Sequence, residues 1–275
     1  MADDLYRDRR LSAGYPDLER LGVGWFKEHQ PTETRVAELM PCLERLIDLS
    51  AGLKTIAVVG CGPKPVAVRQ LRERGYEAVG IEPVAGSVEA AAEFLGDRAA
   101  IRQAGAESMP FKDETQRVVI LDSVLEHVDS PASALAEAYR VLAPGGVLFV
   151  YTTNKLKVRL NGENGEFRTP YFNWFPAIVR ESYVYRHLHY EPSLANYSPR
   201  PAVHWFTFAE LCRVGREAGF AQFYSMLDLV DQESPALKRG RMRSALVSLA
   251  RTSPWLRALA LTQFGSSIFM LKRVD

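Results

Sequence analysis

Short apolar runs alternate with segments of helical spacing over the first 150 residues of the chain. Thr55–Val59 (TIAVV) is rich in β-branched residues, which is typical of a buried strand, and it ends at Gly60. The apolar positions Val68 and Leu71 then have the spacing of a helix, which Gly75 is expected to end. These residues predict a strand followed by a helix.

The same unit of strand and helix recurs as far as residue 151. The further predicted strands are 76–81, a short one near 99–102, 118–121 and 147–151, and the further predicted helices are SVEAAAEFL, which ends at Gly96, and 131–142. Pro144-Gly145-Gly146 is predicted to turn the chain before the last of these strands. Continuously apolar strands connected by helices indicate an α/β fold, in which helices cover a parallel sheet on both faces.

The pattern changes after Tyr151. Residues 154–203 are rich in aromatic residues, His, Asn and Pro and are too long for a simple connection. Thr207 and Glu210 then occupy the two positions of a capping box, and Gly219 is expected to end that helix. Two last strands are predicted at Phe220–Val230 and Ser267–Leu271.

The chain is expected to divide into four parts. They are an N-terminal helical segment over the site (1–50), a cofactor-binding core (51–153), a substrate-facing cap (154–203), and the rest of the core with a basic helical insertion at about 234–262 (204–275). No segment is of low complexity and no period of 20 to 50 residues recurs, so a solenoid is not expected.

Composition places the chain among ordinary globular proteins. It has 275 residues, of which 47% are hydrophobic and 24% charged, and its formal net charge is +1. The three cysteines are widely spaced and form no CxxC pair, which argues against a disulfide framework or a zinc knuckle. No window approaches the ~20 apolar residues of a membrane-spanning helix. We therefore expect a soluble, cytoplasmic protein.

Positive charge is concentrated towards the end of the chain. Residues 234–275 contain eight Lys and Arg against one acid, a local net charge of +7, so that the remainder carries −6. Apolar positions within 237–257 have helical spacing, and Ser253-Pro254 is expected to restart a helix. Such a segment can contact an anionic membrane from the cytosolic side, or it can form a lid with a solvated basic face. Nucleic acid is not expected as a partner, because the rest of the chain is net negative.

A glycine turn and a carboxylate point to an adenosine cofactor. In Gly60-Cys61-Gly62, directly after the first strand, Gly60 can make a tight turn and Gly62 leaves room for a ligand. Glu82 lies twenty residues after Gly62 at the end of the second strand, where a carboxylate can accept both ribose hydroxyls. Pro65 replaces the third glycine of a dinucleotide fingerprint, which disfavours a pyrophosphate and is compatible with a sulfonium cofactor.

Six motifs in a fixed order make the chain similar to a known family. They are VVGCGP (58–63), GIEP (80–83), AESMPF (106–111), DSVLEHVDSP (122–131), AYRVLAPGG (138–146) and HWFTFAELCRVGREAGF (204–220). With them the sequence resembles the class I S-adenosylmethionine-dependent methyltransferases, in particular the group of the ubiquinone and menaquinone methyltransferases. The resemblance implies a Rossmann-like, seven-stranded, mostly parallel sheet with one antiparallel strand, helices on both faces and a cap insertion.

The resemblance also implies which residues bind S-adenosyl-L-methionine. Gly60 and Gly62 would line its methionine moiety, and Glu82 would bind its ribose. Other positions would flank the adenine or lie at the edge of the cofactor. The expected cofactor-binding residues are Gly60, Cys61, Gly62, Glu82, Pro83, Ala106, Glu107, Asp122 and Ser123.

Two positions depart from the pattern of the family. Gly105 stands where the family usually has an acid that reaches the adenine amino group, and Arg117 replaces an acid before the fourth strand. Both departures bear on how adenine is bound rather than on the fold. They leave a non-catalytic alternative open, in which the chain serves as a scaffold or partner subunit.

Histidines are the candidates for a catalytic base. A hydroxyl acceptor must lose a proton during methyl transfer, and His127 in LEHV, together with His189 and His204 in or beside the cap, could take it. His187 alternates with His189, so only one of the two would face inward on an extended segment. For His127 the alternative is a packing or hydrogen-bonding role. No metal site is expected, because the histidines have no cysteine partner.

Aromatic residues of the cap bear on the acceptor. They are Tyr171, Phe172, Trp174, Phe175, Tyr183, Tyr185, Tyr190 and Trp205. They can form an apolar or sugar-stacking wall, or they can form the core of a small cap. Together with the basic segment they favour O-methylation of a small-molecule, sugar or lipid-linked acceptor. The alternative is C-methylation of a quinone-like ring.

Overall fold

The computed structural model describes residues 34–157, 170–176, 179–180, 202, 204–229 and 248–274. The strands are β1 (Thr55–Val59), β2 (Glu77–Glu82), β3 (Ile101–Gln103), β4 (Gln116–Asp122), β5 (Leu142–Tyr151), β6 (Gln222–Ser225) and β7 (Ser267–Leu271). The helices are α1 (Thr34–Leu46), α2 (Val66–Glu73), α3 (Ala85–Leu95), α4 (Pro131–Val141), α5 (Phe208–Glu217), α6 (Met226–Leu229) and α7 (Pro254–Phe264). Among the described helices, none is both long and apolar enough to cross a bilayer.

The seven strands form one sheet in the order β3-β2-β1-β4-β5-β7-β6. The first five strands pair in parallel, and β7 runs antiparallel between β5 and β6. Side chains alternate between two buried layers, so that Ala57 and Val59 of β1 pack with α4 and α5, whereas Ile56 and Val58 pack with α1 and α2. The predicted fold class, including the antiparallel last strand, is confirmed.

Hydroxyl side chains cap the first turns of two helices, α5 and α4. At α5 the side chain of Thr207 accepts from the amide of Glu210, and the side chain of Glu210 accepts from the amide of Thr207, which completes the predicted capping box. At α4 the hydroxyl of Ser130 accepts from the amide of Ser133. These bonds satisfy amides that a helix leaves without partners at its first turn.

The single strand predicted over Phe220–Val230 is wrong in its second half. The strand β6 ends at Ser225, and α6 follows immediately. The carboxylate of Asp228 accepts from both the amide and the hydroxyl of Ser225, each at 2.7 Å. This side chain turns the chain into a helix despite the apolar pattern of the segment.

The turn predicted at Pro144-Gly145-Gly146 is also wrong, because these residues lie within β5. The pairing of β5 with β4 shifts register between Gln116 and Val118, which is a local bulge. A Cβ atom on Gly146 would lie 2.8 Å from the carbonyl oxygen of Ala143, so the glycine permits this irregularity.

The described part of the cap packs against the residues that directly precede α5. Phe172 contacts Trp205 edge to face with a centroid distance of 5.4 Å, and the guanidinium of Arg180 lies 4.9 Å from the Trp205 ring centroid. Most of the predicted cap, and residues 230–247 of the basic insertion, lie outside the described residues. The division into four parts therefore stays a prediction.

Candidate functional site

The carboxyl ends of β1, β2 and β4 lie side by side at one edge of the sheet. Because β1 pairs with β2 on one side and with β4 on the other, Gly60, Glu82 and Asp122 are brought together at the ends of these strands. The order of the strands also reverses between β1 and β4. In open α/β sheets such a reversal leaves a crevice in which ligands bind.

The glycine turn after β1 requires both of its glycines. Gly60 has a φ of 64° and Gly62 a φ of 65°, a region that other residues rarely adopt. A Cβ atom on Gly60 would lie 2.5 Å from Cγ2 of Val124, which is too close for any side chain. The amide of Cys61 donates to the carbonyl of Ile81 at 3.1 Å and fixes the turn against β2.

The side chain of Cys61 is directed into the fold. A Cβ atom on Gly80 would lie 2.7 Å from its sulfur, so the thiol occupies the space that this glycine leaves. Burial, assisted by the nearby charge of Glu82, raises the pKa of the Cys61 thiol far above its usual range. The thiol is therefore a packing group, and Cys61 offers only its backbone to a ligand.

Glu82 is only 3% exposed and is held by two backbone amides. One carboxylate oxygen accepts from the amide of Gly62 and the other from the amide of Val84, each at 3.1 Å. Burial raises the pKa of the carboxyl, and these two hydrogen bonds oppose that effect. A carboxylate offers roughly four acceptor sites, so the two bonds leave capacity for the two hydroxyls of a ribose.

The residues expected near adenine follow β2 and β3. Ala106 is buried, whereas Pro83 is exposed and its carbonyl accepts from the side chain of Gln103 at 3.3 Å. The carboxylate of Glu107 accepts from the amide of Ser130 at 2.6 Å. Glu107 thus joins the loop after β3 to the start of α4.

The two departures from the family pattern have different structural consequences. A Cβ atom on Gly105 would meet nothing within 4 Å, so this position beside Ala106 is open. Arg117 lies at the other end of β4, where its guanidinium donates to the carbonyl of Gly145 at 3.3 Å. At a rise of ~3.3 Å per residue it is roughly 17 Å from Asp122. Arg117 therefore lies away from the edge of the sheet that carries the expected cofactor-binding residues.

Asp122 forms an ion pair that sequence reasoning missed. Its carboxylate lies 2.7 Å from Nε of Arg35, the second residue of α1, and both side chains remain partly exposed. The same guanidinium lies 4.2 Å from the centroid of the Tyr151 ring at the end of β5. The available signal was a basic residue at the start of an amphipathic helix in the segment expected over the site.

Ser123 follows Asp122 in an unusual backbone conformation. Its φ is 58°, which is uncommon for a residue with a side chain. Its amide donates to the carbonyl of Tyr151 at 2.8 Å, so the turn after β4 is fixed to the end of β5. Ser123 is exposed at this edge of the sheet.

The candidate histidines His127 and His204 differ in burial and in hydrogen bonding. His127 is partly buried in the turn after β4, where its amide donates to the carbonyl of Val124 at 2.9 Å. His204 is 1% exposed, and its Nε2 donates to the carbonyl of Val128 at 2.9 Å. This geometry gives His204 a supporting role for the turn that carries His127. His187 and His189 lie outside the described residues.

A buried carboxylate, also missed from sequence, supports the same turn. Glu126 accepts from the hydroxyl of Thr152 at 2.7 Å, and its backbone carbonyl accepts from the amide of His204 at 3.3 Å. The hydroxyl of Thr153 donates to the carbonyl of His204 at 2.7 Å. The residues after β5 and before α5 thus fix the position of His127 from both sides.

The aromatic residues of the cap divide between core and surface. Phe172 and Trp205 are fully buried. Tyr171 and Trp174 are about half exposed and lie 5.4 Å apart between ring centroids, and the indole of Trp174 donates to the carbonyl of Lys155 at 3.1 Å. This exposed pair is therefore tied to the residues that follow β5. Tyr183, Tyr185 and Tyr190 lie outside the described residues.

Over the ranges that the structure describes, no three His, Cys, Asp or Glu side chains come together in a way that could hold a metal ion.

Residues 57–150 match the family described as "Methyltransferase domain". The match begins within β1 and ends within β5, so it contains the glycine turn, Glu82 and the turn of His127. This part of the chain is therefore similar to the methyltransferase domain that the sequence motifs indicate. S-adenosyl-L-methionine is the cofactor of this domain, and the residues present fit it: the glycine turn leaves space without a Cβ atom, and Glu82 has acceptor capacity for a ribose.

Two curated methyltransferases are similar to part of this chain. A ubiquinone biosynthesis O-methyltransferase of Methylococcus capsulatus is 35% identical over 109 residues, which are 38% of this chain and 45% of that protein. A demethylmenaquinone methyltransferase of Lactiplantibacillus plantarum is 25% identical over 168 residues, which are 58% of this chain and 67% of that protein. The chain thus spans less than half the length of the first of these relatives.

Solved structures share the fold of the methyltransferase domain. Phosphoethanolamine N-methyltransferase 2 of Haemonchus contortus, in complex with S-adenosyl-L-methionine, superposes with a TM-score of 0.50 at 12% identity. The match covers 95% of this chain and 61% of that one. At this identity the similarity concerns the fold alone.

Replacing Glu82 by alanine is expected to weaken binding of S-adenosylhomocysteine by ~1–3 kcal/mol, about 5- to 150-fold, because hydrogen bonds from ribose hydroxyls to a charged acceptor are lost. Isothermal titration calorimetry measures the change. The carboxylate binds in its ionised form and burial raises its pKa, so the affinity of the unmodified protein should fall on acidification at a higher pH than an exposed glutamate would cause.

Glu77→Ala is the matched control, because Glu77 is exposed at the opposite end of the same strand. It should leave the affinity unchanged. Equal affinities of the Glu82→Ala variant and the unmodified protein would remove Glu82 from the cofactor site.

Proposed function

We propose that the protein is an S-adenosylmethionine-dependent methyltransferase that methylates an oxygen atom of a small-molecule, sugar or lipid-linked acceptor. The observation that carries this proposal is the buried carboxylate of Glu82, held by the Gly62 and Val84 amides beside the glycine turn. That arrangement suits a ribose and a chain of atoms crossing the turn, and it occurs where the strand order reverses.

The bound cofactor supplies a methyl group that its sulfonium already makes electrophilic, so the protein mainly has to orient the acceptor. Glu82 would hold the ribose, and the backbone of Gly60 and Gly62 would approach the methionine part. Arg35 is a further candidate for this site, because its guanidinium is partly exposed beside Asp122 and can pair with a carboxylate. Its position at the carboxyl end of β4, the neighbour of β1, supports contact with the amino-acid end of the cofactor.

His127 supports the choice of oxygen as the acceptor atom. A hydroxyl becomes a good nucleophile as it loses its proton, and a histidine titrates in the required range of pH. The turn of His127 is attached to Glu126, Thr152 and His204, so its position relative to the sheet edge is fixed. A base that is held in place needs less reorganisation to reach a reactive geometry. The M. capsulatus relative is named as an O-methyltransferase, which agrees with this choice.

The exposed aromatic pair supports an acceptor with a ring. The rings of Tyr171 and Trp174 are tilted by 33° to each other, and Trp174 is hydrogen-bonded to Lys155 a few residues after β5. Flat faces of this kind stack against aromatic rings and against the apolar faces of sugars. A lipid-linked ring compound would satisfy the same requirement.

C-methylation of a quinone-like ring is the second candidate, and the name of the L. plantarum relative favours it. The chemistry of the product distinguishes the two. Cell extracts incubated with methyl-labelled cofactor should yield a labelled ether under the first proposal and a labelled ring carbon under the second. Neither outcome depends on knowing the acceptor in advance.

S-adenosylhomocysteine is expected to raise the melting temperature of the protein, whereas NADH is not. A ligand at a hundred times its dissociation constant stabilises a fold by ~2.7 kcal/mol, which a thermal melt detects easily. Absence of a shift at millimolar S-adenosylhomocysteine would instead support a scaffold or partner subunit with a methyltransferase fold. A shift with NADH would favour a nucleotide-dependent oxidoreductase.

A further inference from the structure

Helix α7 packs Ala260 and Leu261 against the core and leaves two large apolar side chains exposed on another side. Arg257 is its one charged residue, and it forms a two-pronged ion pair with Asp228 of α6, in which one pair of atoms is 2.8 Å apart. Trp255 and Leu259, one turn apart, are 86% and 66% exposed. A surface helix normally has polar side chains at the positions that face solvent.

The residues just before α7 also combine an arginine that contacts α6 with an exposed apolar side chain. Residues 248–252 are helical, and Nε of Arg251 donates to the carbonyl of Leu227 at 2.7 Å. Leu249 is about half exposed. We call the side chains of Leu249, Trp255 and Leu259 the apolar face. Two arginines of the basic insertion therefore contact α6, and leucine and tryptophan side chains are left exposed.

The orientation of α7 is fixed rather than adjustable. Burial alone would raise the pKa of Asp228, but hydrogen bonds from Arg257 and Ser225 hold it below its usual range, so the carboxylate is charged at neutral pH. Rotating α7 to bury Trp255 would break this ion pair and leave Asp228 without its cation. Arg45 of α1 also donates to the carbonyl of Leu229, which fixes α6 itself. The apolar face thus cannot be buried by a small rearrangement.

The C-terminal end of α7 is attached to the edge of the sheet that carries the cofactor site. The amide group of Asn154, three residues after β5, donates to the carbonyls of Leu261 and Thr262 near the end of α7, each at 3.2 Å. The following strand begins with Ser267 paired to Tyr151 at the end of β5.

We propose that the apolar face docks on an anionic lipid surface. Residues 234–274 contain eight Lys and Arg and no acid, and four of these cations lie at 238–243, just ahead of the face in sequence. Tryptophan and leucine in a segment of the sequence that is rich in cations match the interfacial region of a bilayer with anionic headgroups. A second copy is a poor occupant, because two segments that each carry eight cations and no acid would repel each other.

Vesicle co-sedimentation tests the docking surface. The unmodified protein, without cofactor, should pellet with vesicles of phosphatidylcholine and phosphatidylglycerol, and less with phosphatidylcholine alone or at raised salt. The double variant Trp255→Ser, Leu259→Ser should bind at least ~10-fold more weakly, because its interfacial side chains are polar. Val274→Ser is the matched control, since Val274 is 81% exposed, and Gly145 beside it belongs to the far end of the sheet.

Three results would overturn the proposal. The first is equal binding by the double variant and the unmodified protein, and the second is equal binding to neutral and anionic vesicles. The third is a dimer in sedimentation velocity that the double substitution dissociates, which would assign the face to a second copy. Both substituted side chains are exposed, so the variant should melt as the unmodified protein does. Because vesicle binding needs no cofactor, it can fail or succeed independently of methyl transfer.

Discussion

Replacing Gly62 by valine is expected to abolish measurable binding of S-adenosylmethionine. The φ of 65° at this position is strained for a branched residue, and the new side chain would occupy the space of the cofactor itself. The strain would also disturb the amide of Gly62 that donates to Glu82. We expect a loss larger than that of Glu82→Ala, more than ~100-fold, in calorimetric titration with S-adenosylhomocysteine.

Gly96→Val is the control variant that tests backbone strain apart from cofactor binding. Gly96 ends α3 with a φ of 66°, and a Cβ atom there would meet nothing within 4 Å. The two variants should lose similar stability in a thermal melt, and only Gly62→Val should lose cofactor affinity. If Gly62→Val bound the cofactor as the control does, the glycine turn would not be part of the site.

Replacing His127 by glutamine is expected to lower kcat by ~10² or more and to leave cofactor affinity intact, because glutamine cannot take the proton of a hydroxyl acceptor. Activity of the unmodified protein should rise with pH through a group that titrates near neutrality. In the variant this rise should disappear. The measurement is a pH profile of kcat on the acceptor found by methyl labelling.

His204→Gln is the comparison variant, because His204 is buried and bonded to Val128. It should lower the melting temperature and keep the pH profile. His189→Gln completes the set of candidate bases. Full turnover in all three variants would contradict a histidine base and direct attention to Asp122, whose carboxylate would first have to leave Arg35.

Local sequence features predicted the parts of the site that depend on one strand and its following turn. Gly60 and Glu82 come directly at the ends of β1 and β2, and parallel pairing of neighbouring strands brings such ends together without further information. The capping box at Thr207 is equally local. For the same reason the order and direction of the strands followed from the resemblance and the alternation of elements.

Features that depend on a distant partner could not be predicted. Arg35 reaches Asp122 only because α1 packs across the sheet, and no spacing in the sequence links the two residues. The helix after β6 depends on Asp228, whose orientation depends in turn on Arg257. Periodicity likewise located α7, but it did not indicate the ion pair with Asp228 or the exposure of Trp255 and Leu259.

The contact between Gly60 and Val124 joins the two halves of the site mechanically. Val124 stands against the α-carbon of Gly60, and its carbonyl accepts from the amide of His127. A displacement of the loop at Gly60 would therefore also move Val124 and the turn that carries His127, the proposed base. Substitutions that enlarge either loop should consequently impair cofactor binding and proton transfer together.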